Sequence, residues 1–175
     1  MDNLPRLALS VRQPWAWAII HGGKVIENRS MGAIRAGRMT TGTICIHAAS
    51  GMKEDEYRWA HWRLAKHGVT CPRPEDLVRS AIIGTVKVTE IITASDSEWF
   101  GGAAGLVLAD PRPVGPVPAS GQLGYFKWQP GGTIAPPKPW MKRFDINRGD
   151  TRTLPLFPDA EPSYKTPPAK PVRKG

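Results

Sequence analysis

The run of residues 22–29, GGKVIENR, constrains this chain more than any other segment because it ends one element and begins the next. A glycine pair supplies the left-handed backbone that stops a helix. In an extended strand alternate side chains share a face, so Glu27 and Arg29 lie side by side while Lys24 faces the other way. The segment fits either a solvated strand edge with an ion pair worth about 0–1 kcal/mol, or a charged recognition site.

Glycine and proline are unusually frequent, with 18 of each among 175 residues, and 41% of the residues are apolar. This composition favours short strands and many turns, and the length is that of one domain. We expect that domain to occupy residues 1–130. Residues 131–175 are basic and rich in proline with little periodicity, so we predict a partly disordered tail there.

Hydrophobic patterns predict the order of elements along the chain. A first strand at residues 7–11 is followed by a short helix after Pro14, which suits a first helical turn. Acidic residues at the start and basic residues at the end of 53–67 predict the clearest helix. Further strands are expected from residue 24, at 42–48, at 81–93, at 104–109 and at 124–128, with Gly84 permitting a barrel bend. We expect 28–41 to be a mobile connection and residues 110–113 to end the fifth strand.

The net charge of +9, from 24 basic and 15 acidic residues, favours attraction to polyanions. No secretory leader and no run of 18 apolar residues is present, so we predict a cytoplasmic protein without membrane contact. Cys45 lies in an apolar run, which predicts a buried free thiol in preference to a disulfide with Cys71. The histidines and cysteines lack zinc spacing and no phosphate-binding loop is present, so we expect neither a metal nor a cofactor.

Four sequence blocks, in this order, carry a resemblance to a known family. They are the string from residue 10 to 29, with SVRQPWAW at its start and GGKVIENR at its end, then ICIHAA from 44, GLVLADPRPV from 105 and GQLGYFKW from 121. Together they are similar to the ASCH domain of the PUA-like superfamily over residues 5–130. The resemblance implies an α+β fold: a mostly β, PUA-like small barrel of five or six strands flanked by short helices. It also implies that Lys24, Glu27 and Arg29 line a cleft for a base or nucleotide, between the first helix and the barrel.

Three further residues are candidates for contact with a nucleic acid or nucleotide. The guanidinium of Arg12 suits a phosphate, and the amide of Gln13 can pair with a base edge. His47 lies in an apolar run, so it is either a satisfied histidine near the core or a donor that faces the cleft near Lys24. The candidate binding set is therefore Arg12, Gln13, Lys24, Glu27, Arg29 and His47.

The leading hypothesis is a binding module that recognises a base, modified or not, in RNA, DNA or a free nucleotide. Some members of the family that the chain resembles are amidohydrolases of N4-acylated cytidine nucleosides. In such an enzyme Lys24 would act as the base or activate the nucleophile, and Glu27 would polarise Lys24 or a water, although the family's hydroxyl position is occupied here by Glu27. A ribonuclease and an adaptor that binds a protein partner through the tail remain alternatives. We expect a monomer, and the cognate base stays open.

Overall fold

The computed structural model describes residues 4–146 and contains one mixed sheet. Its strands are β1 (Leu7–Val11), β2 (Ile26–Arg29), β3 (Gly42–Ala48), β4 (Ala81–Ile92), β5 (Ala104–Pro118) and β6 (Tyr125–Lys127). The helices are α1 (Trp15–His21), α2 (Met31–Ala36), α3 (Glu54–Lys66) and α4 (Pro139–Lys142). The spatial order is β2-β5-β4-β3-β1-β6, and β1 and β3 are the one parallel pair within residues 4–146. This architecture confirms the predicted α+β class.

The sheet curls into a half-barrel, so that its two edge strands approach each other. Arg29 on β2 donates from Nη2 to the backbone carbonyl of Ser10 on β1, at 2.9 Å. At the start of β6, the backbone N–H of Tyr125 donates to the carbonyl of Gly37, the residue after α2, at 3.1 Å. Gly124 also lies against Gly37, and a Cβ added to it would be 2.5 Å from the Gly37 Cα. Side-chain and backbone contacts therefore bridge the two edges.

The two faces of the sheet carry different side chains because side chains alternate along a strand. Ile44, Ile46 and Ala48 of β3 belong to the main core, which α1 covers from the concave side. Cys45 and His47 of the same strand point to the opposite face; Cys45 packs there with Ala8, and His47 meets Phe126 edge-on. This separation of faces decides which predicted site residues can meet.

Gly84 lies where α1 rests on the sheet. A Cβ there would be 2.6 Å from the Cδ1 atom of Ile20 and 2.7 Å from the carbonyl oxygen of Arg112. The missing side chain lets the helix approach the strand closely. The β4–β5 register also shifts near this glycine, between Ile82 and Gly84, where the prediction expected a bend.

A second core joins α3 to the segment after the sheet. Tyr57 and Leu64 of α3 are buried with Met141 and Phe144. The predicted helix at 53–67 is thus confirmed as Glu54–Lys66. The segment 131–146, placed in the tail by sequence, packs on the domain through these side chains. The rest of the predicted tail lies outside the described residues.

Both cysteines, Cys45 and Cys71, are buried and free, as predicted for Cys45. Burial raises the pKa of each thiol to about 11, so both are inert thiols at neutral pH. No helix within residues 4–146 has the length and apolar character needed to cross a membrane.

Two element predictions were wrong. The segment 28–41 contains α2, because the Ser30 hydroxyl accepts from the N–H of Ala33 at 3.1 Å and Ile34 is buried against the core. Strand β5 does not end at residues 110–113 but continues to Pro118. Since β2 pairs only with residues 104–107, the later part of β5 has an open edge where prolines cost no ladder bond.

Candidate nucleotide site

Lys24, Glu27 and Arg29 converge into one ion cluster. The Lys24 Nζ lies 2.8 Å from Glu27 Oε2, and the Arg29 Nη2 lies 3.0 Å from Glu27 Oε1. Lys24 also donates to the carbonyl of Ile26, and its ammonium lies 5.8 Å from the ring centre of Trp15. Glu27 and Arg29 are therefore neighbours, as alternation along a strand predicts, and Lys24, which that alternation placed on the other face, also reaches Glu27.

Glu27 is the shared counter-ion of the cluster. Burial by itself would raise the pKa of its carboxyl, but the charges and hydrogen bonds of Lys24 and Arg29 outweigh that effect and hold the pKa below its ordinary value. Lys24 and Glu27 are only 6% and 8% exposed. The cluster thus combines two cations with one ionised carboxylate in a poorly hydrated position.

Arg29 is the member of the cluster that reaches towards solvent, with 23% of its side chain exposed. Its Nε atom is buried and has no hydrogen-bond partner within residues 4–146. Because Glu27 can neutralise only one of the two cations, the surplus positive charge lies near this guanidinium. Lys24 and Glu27, in contrast, are directed at each other, a geometry that favours a structural and electrostatic role over the catalytic roles considered for them.

Gln13 and Arg12 lie just after β1, where the chain enters α1. The amide of Gln13 donates to the carbonyl of Val78 at 2.7 Å and accepts from the backbone N–H of Trp17 at 2.9 Å. Gln13 is buried, so these bonds fix the start of α1. Arg12 is more exposed and pairs with Glu56 of α3. Both ends of the Gln13 amide are thus engaged inside the fold, while Arg12 stays at the surface.

His47 faces away from Lys24, on the convex side of the sheet. It is 2% exposed, with Nε2 2.9 Å from the carbonyl oxygen of Ala119 and Nδ1 3.0 Å from the hydroxyl oxygen of Ser10. Burial lowers the pKa of His47, and the bond to Ala119 only partly offsets this. The ring is therefore neutral at pH 7. Since a carbonyl can only accept, Nε2 carries the proton, and Nδ1 accepts from the Ser10 hydroxyl.

Beside this Ser10–His47 pair opens a pocket of about 480 Å³, within the size range of small-ligand sites. It is lined by Ser10, His47, Ala49, Ser50, Ser80, Ala119, Ser120, Gly121, Gln122, Leu123, Gly131, Gly132 and Thr133. The lining is mixed: it contains five hydroxyl side chains, one amide and one imidazole beside apolar surface, and no carboxylate, lysine or arginine of residues 4–146 contributes to it. Arg79 is buried behind this wall, where it donates to the carbonyl of Ser50 at 2.6 Å.

The pocket rim adjoins an exposed basic corner made of Arg35 and Arg38. Both arginines are exposed, and they flank Gly37, the residue on which Gly124 rests. Leu123, which precedes Gly124 in the rim, is 90% exposed. The pocket rim and the basic corner are therefore connected through the Gly37–Gly124 contact.

Sequence reasoning identified His47 but missed Ser10 and the rim loop. One signal was available: Ser10 begins the block that contains Arg12 and Gln13. The role of Gly121 has no local signature, because it depends on the loop between β5 and β6 lying against Ser10 of β1 and His47 of β3. A Cβ at Gly121 would lie 2.6 Å from the Ser10 hydroxyl oxygen and 2.7 Å from His47 Nδ1.

The buried neutral state of His47 predicts a dependence of stability on pH. Its pKa is lower in the folded chain than the unfolded value of about 6.5, so the unfolded state binds more protons between the two values. The free energy of unfolding should be highest above pH 6.5 and fall as the pH decreases from there. His61, whose pKa burial also lowers, acts in the same direction.

Urea unfolding of wild type and His47→Gln at pH 8 and at pH 5.5 measures this effect. The pH 8 data give the cost of the substitution itself, and the loss between the two pH values should be smaller in the variant. An equal loss in both proteins would contradict a neutral buried His47.

The curled mixed sheet, with short helices on its concave side and a buried charged cluster following the first helix, defines a PUA-like domain. A sequence model described as the ASCH domain matches residues 9–132. This match spans well over half of the chain, and the chain therefore belongs to the ASCH domain family.

Two solved structures are similar to this chain, both of mutants of ZmASCH from Zymomonas mobilis. They are 18% and 14% identical to it and cover 64% of this chain, and 72% and 74% of their own chains. Each has a TM-score of 0.34. No curated protein matches the chain. The site described above rests on its own geometry.

Proposed function

We propose that this domain binds single-stranded nucleic acid or a nucleotide, with a base in the pocket and phosphates on the basic corner. One observation carries the proposal: a pocket that receives no charged side chain from residues 4–146, and is large enough for a nucleoside, adjoins two exposed arginines across the Gly37–Gly124 contact. A nucleotide has the same division, since its base is uncharged and its phosphate is anionic. The proposed ligand thus matches the site in both parts.

The distribution of charge supports a phosphate contact on this side of the molecule. Residues 4–50 contain six arginines and lysines but a single carboxylate, Glu27, which is already shared inside the ion cluster. Within residues 4–146, neither Arg35 nor Arg38 forms an ion pair. Their fields, together with the surplus charge at Arg29, attract a polyanion and release its counterions on binding.

The double variant Arg35→Gln/Arg38→Gln is predicted to weaken binding to single-stranded RNA and DNA. Loss of two phosphate contacts should reduce the slope of log affinity against log salt by about 1.4, since each contact contributes about 0.7 for a single strand. Fluorescence anisotropy of the full chain with labelled oligonucleotides, titrated at several salt concentrations, measures both quantities. Binding should weaken similarly for all sequences, because phosphates carry no base identity.

Arg112→Gln provides the control. Arg112 is exposed on β5 and does not line the pocket, so the variant loses one positive charge away from the proposed site. It should keep the wild-type salt slope. If Arg112→Gln weakened binding as much as the double variant, binding would depend on net charge alone, and retention equal to wild type in the double variant would remove the basic corner from the proposal.

A further inference from the structure

The Ser10–His47 pair fixes the hydrogen-bonding character of one wall of the pocket. The Nε2 proton of His47 is donated to Ala119, so Nδ1 is left as an acceptor. The Ser10 hydroxyl satisfies Nδ1 by donating its only proton to it. What Ser10 still offers to the pocket is a pair of acceptor sites on its oxygen.

This arrangement removes the ambiguity that a hydroxyl normally has. A serine in solvent rotates and can donate or accept, so it discriminates poorly between ligands. Here a buried histidine holds the hydroxyl proton on the side away from the ligand. A ligand that presents an N–H group to Ser10 gains a hydrogen bond, whereas one that presents a lone pair faces another lone pair.

We propose that the pocket is a nucleobase subsite that selects bases carrying an exocyclic amine, with Ser10 accepting a hydrogen bond from that amine. Ser10 is thus a specificity-determining residue, and His47 is a positioning residue that acts through it. This inference rests on the proposed function, because it names the part of the nucleotide that the pocket reads. The uncharged lining from residues 4–146 suits any base that is neutral at pH 7, so the selection comes from Ser10.

Gly121 packs closely against the Ser10–His47 pair at the wall of the subsite. A Cβ at this position would lie 2.5 Å from His47 Cε1 and 2.6 Å from the Ser10 hydroxyl oxygen, so any side chain fills the space directly beside the pair. Gly121 has no positive backbone angle that would demand glycine. The absence of a side chain is therefore required by the close approach to Ser10 and His47.

Paired nucleosides that differ only in the amine test the proposal. Cytidine is compared with the analogue that carries hydrogen in place of its 4-amine, and adenosine with purine riboside, by NMR titration of the full chain. Wild type should bind each amine-bearing member about threefold to tenfold more tightly, which is the worth of one neutral hydrogen bond. Ser10→Ala should bring both ratios to about one, while its unfolding curve verifies that the fold is retained.

A matched pair of glycine variants separates access from hydrogen bonding. Gly121→Ala should abolish binding of all four nucleosides, because the added methyl group displaces Ser10 and His47. Gly115→Ala, where an added Cβ meets nothing within 4 Å, should bind as wild type does. Equal binding of nucleosides by the two variants would contradict a ligand beside Ser10.

Binding of single-stranded oligonucleotides and of mononucleotides is measured in parallel. This measurement distinguishes failure of the amine-selective subsite from failure of the proposed binding function. Oligonucleotide binding without discrimination by the amine, or without nucleoside binding, overturns the subsite and leaves the proposed function standing. Absence of binding to oligonucleotides and to mononucleotides alike overturns the proposed function. Amine discrimination under that condition supports the subsite with a free nucleoside as its ligand.

Discussion

Replacing Glu27 with glutamine is expected to lower the free energy of unfolding by about 3–5 kcal/mol, as breaking a buried ion pair does. Glu27 accepts from Lys24 at 2.8 Å and from Arg29 at 3.0 Å, and it is 8% exposed. Glutamine keeps the shape of the side chain but removes the charge. Lys24, which is buried as well, is then left without a counter-ion in a position that water hardly reaches.

Glu54→Gln is the matched control. Glu54 pairs with Arg58 at 2.7 Å, a distance similar to that of the Lys24 pair, but both partners are partly exposed. Solvent-exposed pairs contribute about 0–1 kcal/mol, so this variant should unfold within that range of wild type. Urea denaturation at pH 7 compares the two. Equal costs for both substitutions would show that the Lys24–Glu27–Arg29 cluster is hydrated like a surface pair.

The Glu27→Gln variant also tests whether the cluster acts only on stability or contacts the ligand directly. Under conditions where Glu27→Gln remains folded, removal of its carboxylate makes the site more positive. Affinity for single-stranded oligonucleotides should then be unchanged or higher, since no phosphate contact is lost. A loss of affinity in a folded Glu27→Gln protein would instead assign Glu27 a direct contact with the ligand, as considered from the sequence.

The ion cluster was predictable because its geometry is local. Lys24, Glu27 and Arg29 lie within six residues, and strand alternation fixes the side on which Glu27 and Arg29 meet. Alternation alone placed Lys24 on the opposite face, but Lys24 precedes the first residue of β2, where the alternation does not apply. Its long side chain can therefore turn to reach Glu27. Fold class and the helix at α3 were predictable for similar reasons, from composition and amphipathic pattern.

The pocket could not be predicted, because its lining comes from segments that are distant in sequence. The lining includes Ser10, Ser80, Gly121 and Thr133. These residues meet only when the sheet has curled and β6, with the loops on either side of it, lies beside β1. His47 was identified as a candidate, but its face depends on the register of β3 against β1, where Ser10 pairs with His47 in parallel. Such registers follow from tertiary packing, which no local pattern of residues records.

Gly124→Ala is expected to cost about 2–5 kcal/mol in the free energy of unfolding, from two independent sources. Its backbone has φ of +70°, a left-handed conformation that costs a residue with a Cβ about 1–2 kcal/mol. The added Cβ would also lie 2.5 Å from the Gly37 Cα, a backbone atom that cannot rotate away. Overpacking of this kind typically costs a further 1–3 kcal/mol.

Gly23→Ala separates these two sources, because Gly23 has the same φ of +70° but nothing within 4 Å of an added Cβ. It should show only the conformational cost of about 1–2 kcal/mol. The difference between the two variants in the free energy of unfolding therefore measures the cost of disturbing the Gly37–Gly124 contact.

Gly124 also lies next to the pocket rim. Gly124→Ala should therefore weaken oligonucleotide binding even under conditions where the variant is folded, and Gly23→Ala should not. Equal unfolding costs would mean that the Gly37–Gly124 contact yields without strain, and that the pocket and the basic corner are not rigidly joined.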